Sequence, residues 1–263
     1  MNDCDLSDLV LAGVQWEITD MPTAVMAAAR AATVSSASAN TTARAGAGHT
    51  TARTATSIVP PIAPQQAISV DTAVAMAARP ADMDALCRMI SEFNHPLRAG
   101  ATNVVLPHVA SNPNGLLIVT DIPSGDDDAC GKILSGAAGE LLDKMLVAIG
   151  MSRDTVSIIP LVFWRTPGGR TPTRAELDLA RPFVNRAIEL MQPRFIMTLG
   201  TLAAAEIANV QLPRGHGMTA QTAGGITVMP IYHPNYLMLK PAAKRDAWTA
   251  LQIVQNLLKT DDK

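Results

Sequence analysis

The stretch VSIIPLVFWRTPGGRTPTRAELDLARPF, residues 156–183, contains a strand pattern, a loop and a helix start in direct succession. The apolar run 156–163 has the length of a buried strand, and a loop rich in Gly, Pro and Arg follows at 166–172. Thr173 and Glu176 predict a capping box, in which each side chain binds a free backbone amide at the start of a helix. Such a loop lies at the carboxyl end of a strand, where open α/β sheets bind ligands.

Arginines are concentrated in this loop and on the helix behind it, at Arg165, Arg170, Arg174 and Arg181. Guanidinium groups at such a rim suit an anionic ligand, and the phosphates of a nucleic acid are one candidate. A basic loop that contacts only water would give the same pattern. The local sequence therefore leaves both interpretations open.

On both sides of this stretch, apolar strand patterns alternate with helical patterns. Strands are predicted at 115–119, 156–163, 195–199 and 227–232, and helices at 71–76, 82–93, 136–149, 173–191, 201–207 and 242–258. Strands separated by helices form a parallel sheet that is covered on both faces. The predicted fold is therefore an α/β three-layer sandwich with a central four-stranded parallel sheet flanked by helices.

The residues that precede this domain differ from it in composition. Residues 1–20 contain a short amphipathic pattern, and we expect a helix that docks on the main domain or on a protein partner, because so short a helix is unstable alone in water. Residues 21–70 are rich in Ala, Thr, Ser and Pro and contain no Leu, Phe, Tyr or Trp, which predicts a disordered linker. The α/β domain is expected to span residues 71–263.

Charge and cysteine usage restrict the class of protein. The net charge is −2, so any nucleic-acid site must be a local patch and not a property of the whole surface. The three cysteines are widely spaced, which favours reduced thiols in a cytoplasmic protein over a disulfide framework. No apolar run has the length of a membrane span, and acidic residues stand where a signal peptide would be basic.

Two further strand ends carry candidate catalytic residues. Asp121 follows the first predicted strand, and His233 follows the fourth. A carboxylate can polarise water or stabilise an oxocarbenium-like state, and a histidine can stabilise charge on a leaving group, as a glycosidase requires. A His-Pro pair after a strand is more often an ordinary turn, however, and the acidic run 126–128 is most simply a solvated loop.

Taken together, three loops resemble the family-four uracil-DNA glycosylases. The loop TDIPS at 120–124 corresponds to the family's Gly-Glu-x-Pro-Gly, RTPGGRTP at 165–172 to its Arg-Pro-Pro-Gly-Asn-Arg-Thr-Pro, and HPNYL at 233–237 to its His-Pro-x-Tyr-Leu. The resemblance extends over residues 83–258. It implies a uracil-DNA glycosylase-like fold and, in base-excision DNA repair, hydrolysis of the N-glycosidic bond of a flipped deaminated base.

The resemblance also implies roles for individual residues. It assigns hydrolysis to Asp121 and His233. It assigns the base pocket to Ile122, Pro123, Leu134 and Pro160. It assigns DNA binding to Arg165, Arg170, Pro234, Asn235 and Tyr236. The implied partner is DNA, and the implied location is the cytoplasm, in association with the nucleoid.

Several of these residues depart from the family's pattern. Asp121 replaces a glutamate and is one methylene shorter, and Leu134 replaces the phenylalanine that stacks on the base, a contact worth ~1–3 kcal/mol. Pro160 replaces the asparagine that reads the edge of uracil, and proline has no backbone donor. These departures leave an alternative open, a catalytically impaired descendant of the fold that serves as a DNA-binding or scaffold module.

The family's iron–sulfur cluster is expected to be absent. Its cysteine ligands correspond approximately to Glu92, His95, Trp164 and Ala180. The cysteines of this chain, Cys4, Cys87 and Cys130, lie elsewhere in the sequence. A single histidine cannot hold an assembly that requires four ligands, so we expect no bound metal.

Overall fold

The structure is a computed structural model that describes residues 68–260. The helix predicted within residues 1–20 and nearly all of the linker predicted at 21–70 lie outside the described residues, so both remain predictions.

The centre of the domain is a sheet in which four strands are parallel, as predicted. These strands are β1 (Leu116–Thr120), β2 (Ser157–Pro160), β3 (Phe195–Leu199) and β5 (Thr227–Ile231), and the short β4 (Ala220–Gln221) pairs antiparallel with β5. The sheet order is β2-β1-β3-β5-β4. The pattern of the sequence did not predict β4, because two residues are too few to show a strand's period.

Helices cover both faces of the sheet. They are α1 (Val70–Ala77), α2 (Met83–Glu92), α3 (Gly125–Cys130), α4 (Gly136–Ala148), α5 (Arg174–Met191), α6 (Thr201–Ala208), α7 (Pro234–Leu239) and α8 (Lys244–Thr260), with 3-10 turns at Pro96–Gly100, Pro167–Gly169 and Pro241–Ala243. Within residues 68–260, none of the helices is both long enough and apolar enough to cross a bilayer.

Alternate residues of β1 pack into two separate cores, one on each side of the sheet. Leu117 and Val119 belong to one apolar cluster, and Leu116 and Ile118 belong to the other. All five residues of β1 are buried, as expected for a parallel strand that is covered on both faces. The predicted three-layer α/β sandwich is therefore confirmed.

The stretch at 156–183 forms a strand, a loop and a helix, but the strand is shorter than the apolar run. β2 ends at Pro160, and residues 161–164 leave the strand and stay buried. β2 lies at an edge of the sheet, a position that tolerates a proline, and its outer side pairs with His108 at Ile158 and not at Pro160. At the start of α5, Thr173 and Glu176 form the predicted capping box.

Candidate active site

The carboxyl ends of β1, β3 and β5 bring Asp121 and His233 to one cavity. Both side chains line a space of about 400 Å³ at this edge of the sheet. The other lining residues are Gly200, Thr201, Leu212, Pro213, Tyr232, Asn235, Tyr236 and Leu239. A second cavity of about 290 Å³ is also lined by Asp121, together with Ile122 and the loop residue Gly169. Asp121 therefore borders both spaces.

Asp121 is held by the first turn of α6. Its Oδ1 accepts a hydrogen bond of 2.7 Å from the amide of Ala203. Gly200 precedes the helix with a φ of 109°, and a Cβ at Gly200 would lie 2.2 Å from Oδ2 of Asp121, so only glycine leaves room for this carboxylate. Burial raises the pKa of Asp121 to about 6, although amides of α6 oppose the shift. The group is therefore ionised at neutral pH and becomes protonated in mild acid.

His233 is the N-cap of α7 and presents a neutral ring. Its Nδ1 accepts a hydrogen bond of 3.1 Å from the amide of Asn235, which leaves the proton of the neutral imidazole on Nε2. Burial lowers the pKa of His233 to about 4, while the negative charge of Asp127 acts in the opposite direction. At neutral pH the ring is thus an Nε2–H donor beside the larger cavity.

The residues expected to form the base pocket do not all meet at this site. Ile122 lines the smaller cavity beside Asp121. Leu134 is only 3% exposed, and Pro160 and Pro123 are also buried. Neither of the two cavities at Asp121 includes Leu134, Pro160 or Pro123. The structure places Ile122 beside Asp121 and packs the other three side chains in the interior.

The two arginines expected to bind DNA have different environments. Arg170 donates to both carboxylate oxygens of Glu176, at 2.6 and 2.8 Å, which raises the pKa of Arg170 and lowers that of Glu176 to about 2. Its guanidinium is therefore occupied at the start of α5. The guanidinium of Arg165 lies beside Gly125, and it forms neither a hydrogen bond nor an ion pair with the described residues. Arg165 is thus the one of these two arginines that can bind a phosphate without breaking an ion pair.

Two tyrosines of the segment after β5 line the same cavity as His233, and one of them stacks on His216. The ring of Tyr232 lies 3.9 Å from that of His216, at an interplanar angle of 10°, and 4.8 Å from that of Tyr236. Asn235 and Tyr236 are exposed and line the larger cavity, whereas Pro234 is buried at the start of α7. Sequence reasoning missed Tyr232 and His216. Tyr232 could have been found from the sequence, because it lies immediately before His233 at the end of a predicted strand.

The acidic run 126–128 is not the solvated loop that we expected. Asp127 and Asp128 are only 3% and 6% exposed, and both belong to the helix α3. Oδ1 of Asp128 accepts hydrogen bonds from the amides of Thr102 and Asn103, at 2.9 and 3.1 Å. The prediction was wrong because acidic side chains in a first helical turn bind free backbone amides, which makes their burial favourable.

The positions that correspond to the family's cluster ligands are packed with other groups. The ring of His95 stacks on Trp164, with 4.8 Å between centroids and an angle of 8°, and Phe93 also packs against Trp164. Nε2 of His95 donates to the carbonyl of Glu176 at 2.9 Å, and Ala180 is fully buried. None of these positions offers a thiolate, so the residues present do not fit a four-cysteine cluster. Among residues 68–260, no group of His, Cys, Asp or Glu is arranged to hold a metal ion.

Comparison with known proteins identifies relatives of this site and fold. Residues 107–252, more than half of the chain, match the family model of the uracil DNA glycosylase superfamily. The type-4 uracil-DNA glycosylase of Archaeoglobus fulgidus is 30% identical over 154 residues, which cover 55% of this chain and 77% of that enzyme. Those of Pyrobaculum aerophilum and Thermotoga maritima are 31% and 32% identical, over 49% and 54% of this chain and 71% and 76% of their own lengths. This chain therefore belongs to the uracil DNA glycosylase superfamily.

Proposed function

We propose that this protein is a uracil-DNA glycosylase of base-excision repair, which hydrolyses the N-glycosidic bond of a deaminated base flipped out of DNA. The observation that carries the proposal is the cavity shared by Asp121 and His233 at the carboxyl ends of the parallel strands. The chain is similar to type-4 uracil-DNA glycosylases over most of the length of those enzymes. This similarity supports hydrolysis of an N-glycosidic bond as the reaction that takes place in the cavity. The relatives are named as enzymes, so a catalytically impaired descendant is not favoured.

In this reaction His233 stabilises the leaving base. As the bond between C1′ and the base nitrogen breaks, its electron pair passes to the base, and negative charge develops on a carbonyl oxygen of the ring. The neutral Nε2–H of His233 donates a hydrogen bond to that oxygen. Because burial lowers the pKa of this imidazole to about 4, the donor is already in place at neutral pH and needs no protonation step.

Asp121 acts on the sugar and on water. An ionised carboxylate beside C1′ stabilises the positive charge of an oxocarbenium-like state and orients the attacking water. The water oxygen bonds to C1′, and its proton passes to Asp121 and then to solvent or to the departing base. Because Asp121 lines both cavities, the base can occupy one of them and the water the other.

Arg165 and the loop after β5 bind the DNA. The guanidinium of Arg165 would contact a backbone phosphate beside α3. Tyr236 is 42% exposed and Leu239 is 79% exposed, so the rim of the larger cavity offers apolar side chains to unstacked bases. Leu134 is buried, whereas the rings of Tyr232 and Tyr236 belong to residues that line the same cavity as His233 and offer a surface for stacking.

The domain would fold without an iron–sulfur cluster. Trp164 is 1% exposed and stacks on His95, while Ala180 packs in the same apolar core. These side chains connect the segment after α2, the segment after β2 and the helix α5, so no metal is needed to join them.

Replacing His233 with alanine is expected to lower the rate of base release by roughly 10²–10³-fold, because the leaving base loses its hydrogen-bond donor. The measurement is single-turnover release from single- and double-stranded oligonucleotides that contain uracil, hypoxanthine or xanthine, followed by alkaline cleavage. The control is His108→Ala, since His108 does not line the cavity and, within residues 68–260, bonds to backbone groups at Ile158 and Arg153. Equal rates in wild type and His233→Ala would contradict the assigned role, and a wild type inactive on every base would refute the function.

The rate of the wild-type protein is expected to fall about ten-fold per pH unit below about pH 6, because Asp121 must be ionised and its pKa is raised to about 6. An Asp121→Asn variant should be slower at pH 7, and its rate should be flat through this window since an amide does not titrate. Single-turnover rates between about pH 5 and 8 test both expectations. If the rate of Asp121→Asn still fell below about pH 6, the group that titrates would not be Asp121.

Arg165→Ala is expected to weaken DNA binding and to reduce the slope of log K against log salt concentration by about 1, as the loss of one phosphate contact predicts. Arg170→Ala should instead lower the unfolding temperature and leave that slope nearly unchanged, because Arg170 is bonded to Glu176. Fluorescence anisotropy at several salt concentrations and thermal denaturation distinguish the two variants. If Arg170→Ala reduced the salt slope and Arg165→Ala did not, Arg170 and not Arg165 would be the residue that contacts the phosphate.

Protein purified under anaerobic conditions is expected to contain no stoichiometric iron or acid-labile sulfide, since the candidate ligand positions hold Trp164 and Ala180. Trp164→Ala should lower the free energy of unfolding by ~3–5 kcal/mol, because a large buried ring is lost. Metal analysis and urea denaturation measure the two quantities. One bound cluster per chain would refute the cluster-free fold.

A further inference from the structure

We propose that Asp127 is a positioning residue for the reaction proposed above, because its buried carboxylate joins the loop that carries Asp121 to the loop that carries Leu134. The inference rests on the proposed function and adds to it a residue that touches neither the base nor the sugar. In the sequence alone, Asp127 cannot be distinguished from its acidic neighbours Asp126 and Asp128.

The two oxygens of Asp127 bind two different loops. Oδ2 accepts a hydrogen bond of 2.9 Å from the amide of Ser124, which ends the loop after β1. Oδ1 accepts one of 2.6 Å from the amide of Ser135, which precedes α4. The capping box of α3 includes the bond to the amide of Ser124. The bond to the amide of Ser135 is not part of that capping box and links α3 to another loop. Hydrogen bonds to a charged acceptor are short and strong, and this carboxylate is only 3% exposed.

The second loop has a strained conformation that needs such support. Leu134 has a φ of 49°, which is costly for a residue with a side chain and persists only when its surroundings fix it. The guanidinium of Arg153 donates to the carbonyls of Ile133 and Leu134, at 3.0 and 2.7 Å. A Cβ at Gly139 would lie 1.8 Å from the carbonyl oxygen of Leu134, so the glycine permits this close approach. Arg153 and Gly139 hold the loop to its own side of the domain, whereas Asp127 ties it to the catalytic loop.

The charge of Asp127 also acts on His233. It opposes the effect of burial on the pKa of this imidazole. A nearby negative charge increases the polarity of an Nε2–H donor and stabilises positive charge that the ring gains as it bonds to the leaving base. Asp127 therefore ties the Asp121 loop to the neighbouring Leu134 loop and acts electrostatically on the His233 ring.

Asp128 provides a matched control in the same helix. It is also buried, at 6% exposure, and its Oδ1 likewise accepts two backbone hydrogen bonds. Its partners, Thr102 and Asn103, precede β1 and line neither cavity at Asp121. Replacing either aspartate with asparagine keeps the side-chain size and one acceptor oxygen and removes the charge.

The experiment compares Asp127→Asn, Asp127→Glu and Asp128→Asn in the full chain, acting on the uracil oligonucleotide. We expect Asp127→Asn to lower kcat by roughly ten-fold or more with little change in KM, because misplaced catalytic groups act on the transition state and not on ground-state binding. Asp128→Asn should keep kcat within about two-fold of wild type, and thermal denaturation of each variant separates a loss of stability from a loss of kcat. Asp127→Glu retains the charge and should recover part of kcat.

Amide hydrogen exchange gives a readout that does not depend on activity. The amides of Ser124 and Ser135 should exchange faster in Asp127→Asn than in wild type. In Asp128→Asn their exchange rates should equal those of wild type. An active wild type in which the two asparagine variants lose kcat equally, in proportion to stability, would overturn the positioning role alone. A wild type that is inactive on every base would overturn the proposed function and, with it, the role of Asp127 in that reaction.

Discussion

The contact between the Asp121 carboxylate and the first turn of α6 is the constraint on which the candidate site depends. Burial beside two cavities favours the protonated acid, whereas the amides of the helix start favour the anion. The balance leaves a carboxylate with a pKa of about 6, which is charged at neutral pH although it is largely shielded from water. Gly200 makes the contact possible, because any Cβ there would overlap the carboxylate. The position of the acid relative to His233 is thus set by the ends of β1, β3 and β5 and not by loop flexibility.

The sheet and the long helices could be predicted from the sequence, because their apolar periods are local properties. The capping box of Thr173 and Glu176 is local for the same reason. The helix α3 could not be predicted, since a run of one glycine and three aspartates has low helix propensity. It forms because Ser124 caps it and because two of its carboxylates find amide partners up to 26 residues away in the chain. Such partners have no signal in a local window.

In the candidate site, too, some features could be predicted from the local sequence and others could not. Asp121 and His233 follow strands, so their meeting at one edge follows from the order of a parallel sheet. The difference between Arg165 and Arg170 depends on Glu176, whose own position is fixed by the helix that it caps. Leu134 and Pro160 were assigned from their alignment with a family motif, and alignment gives a place on the backbone but not the direction of a side chain. Packing decides that direction, and it places both residues in the interior.

The packing around Trp164 connects a position that corresponds to a cluster ligand of the family with the loop that we propose binds DNA. Trp164 is stacked on His95 and lies at the edge of Phe163, so it fixes the chain where β2 gives way to the loop. Arg165 is the next residue, and its guanidinium reaches the start of α3 from that fixed point. A cluster ligand at position 164 would anchor the same backbone by a metal bond, whereas a buried indole anchors it by apolar contact and ring stacking. With Trp164 at this position, the start of the arginine loop is anchored by a buried ring, so its placement does not require a thiolate–metal bond.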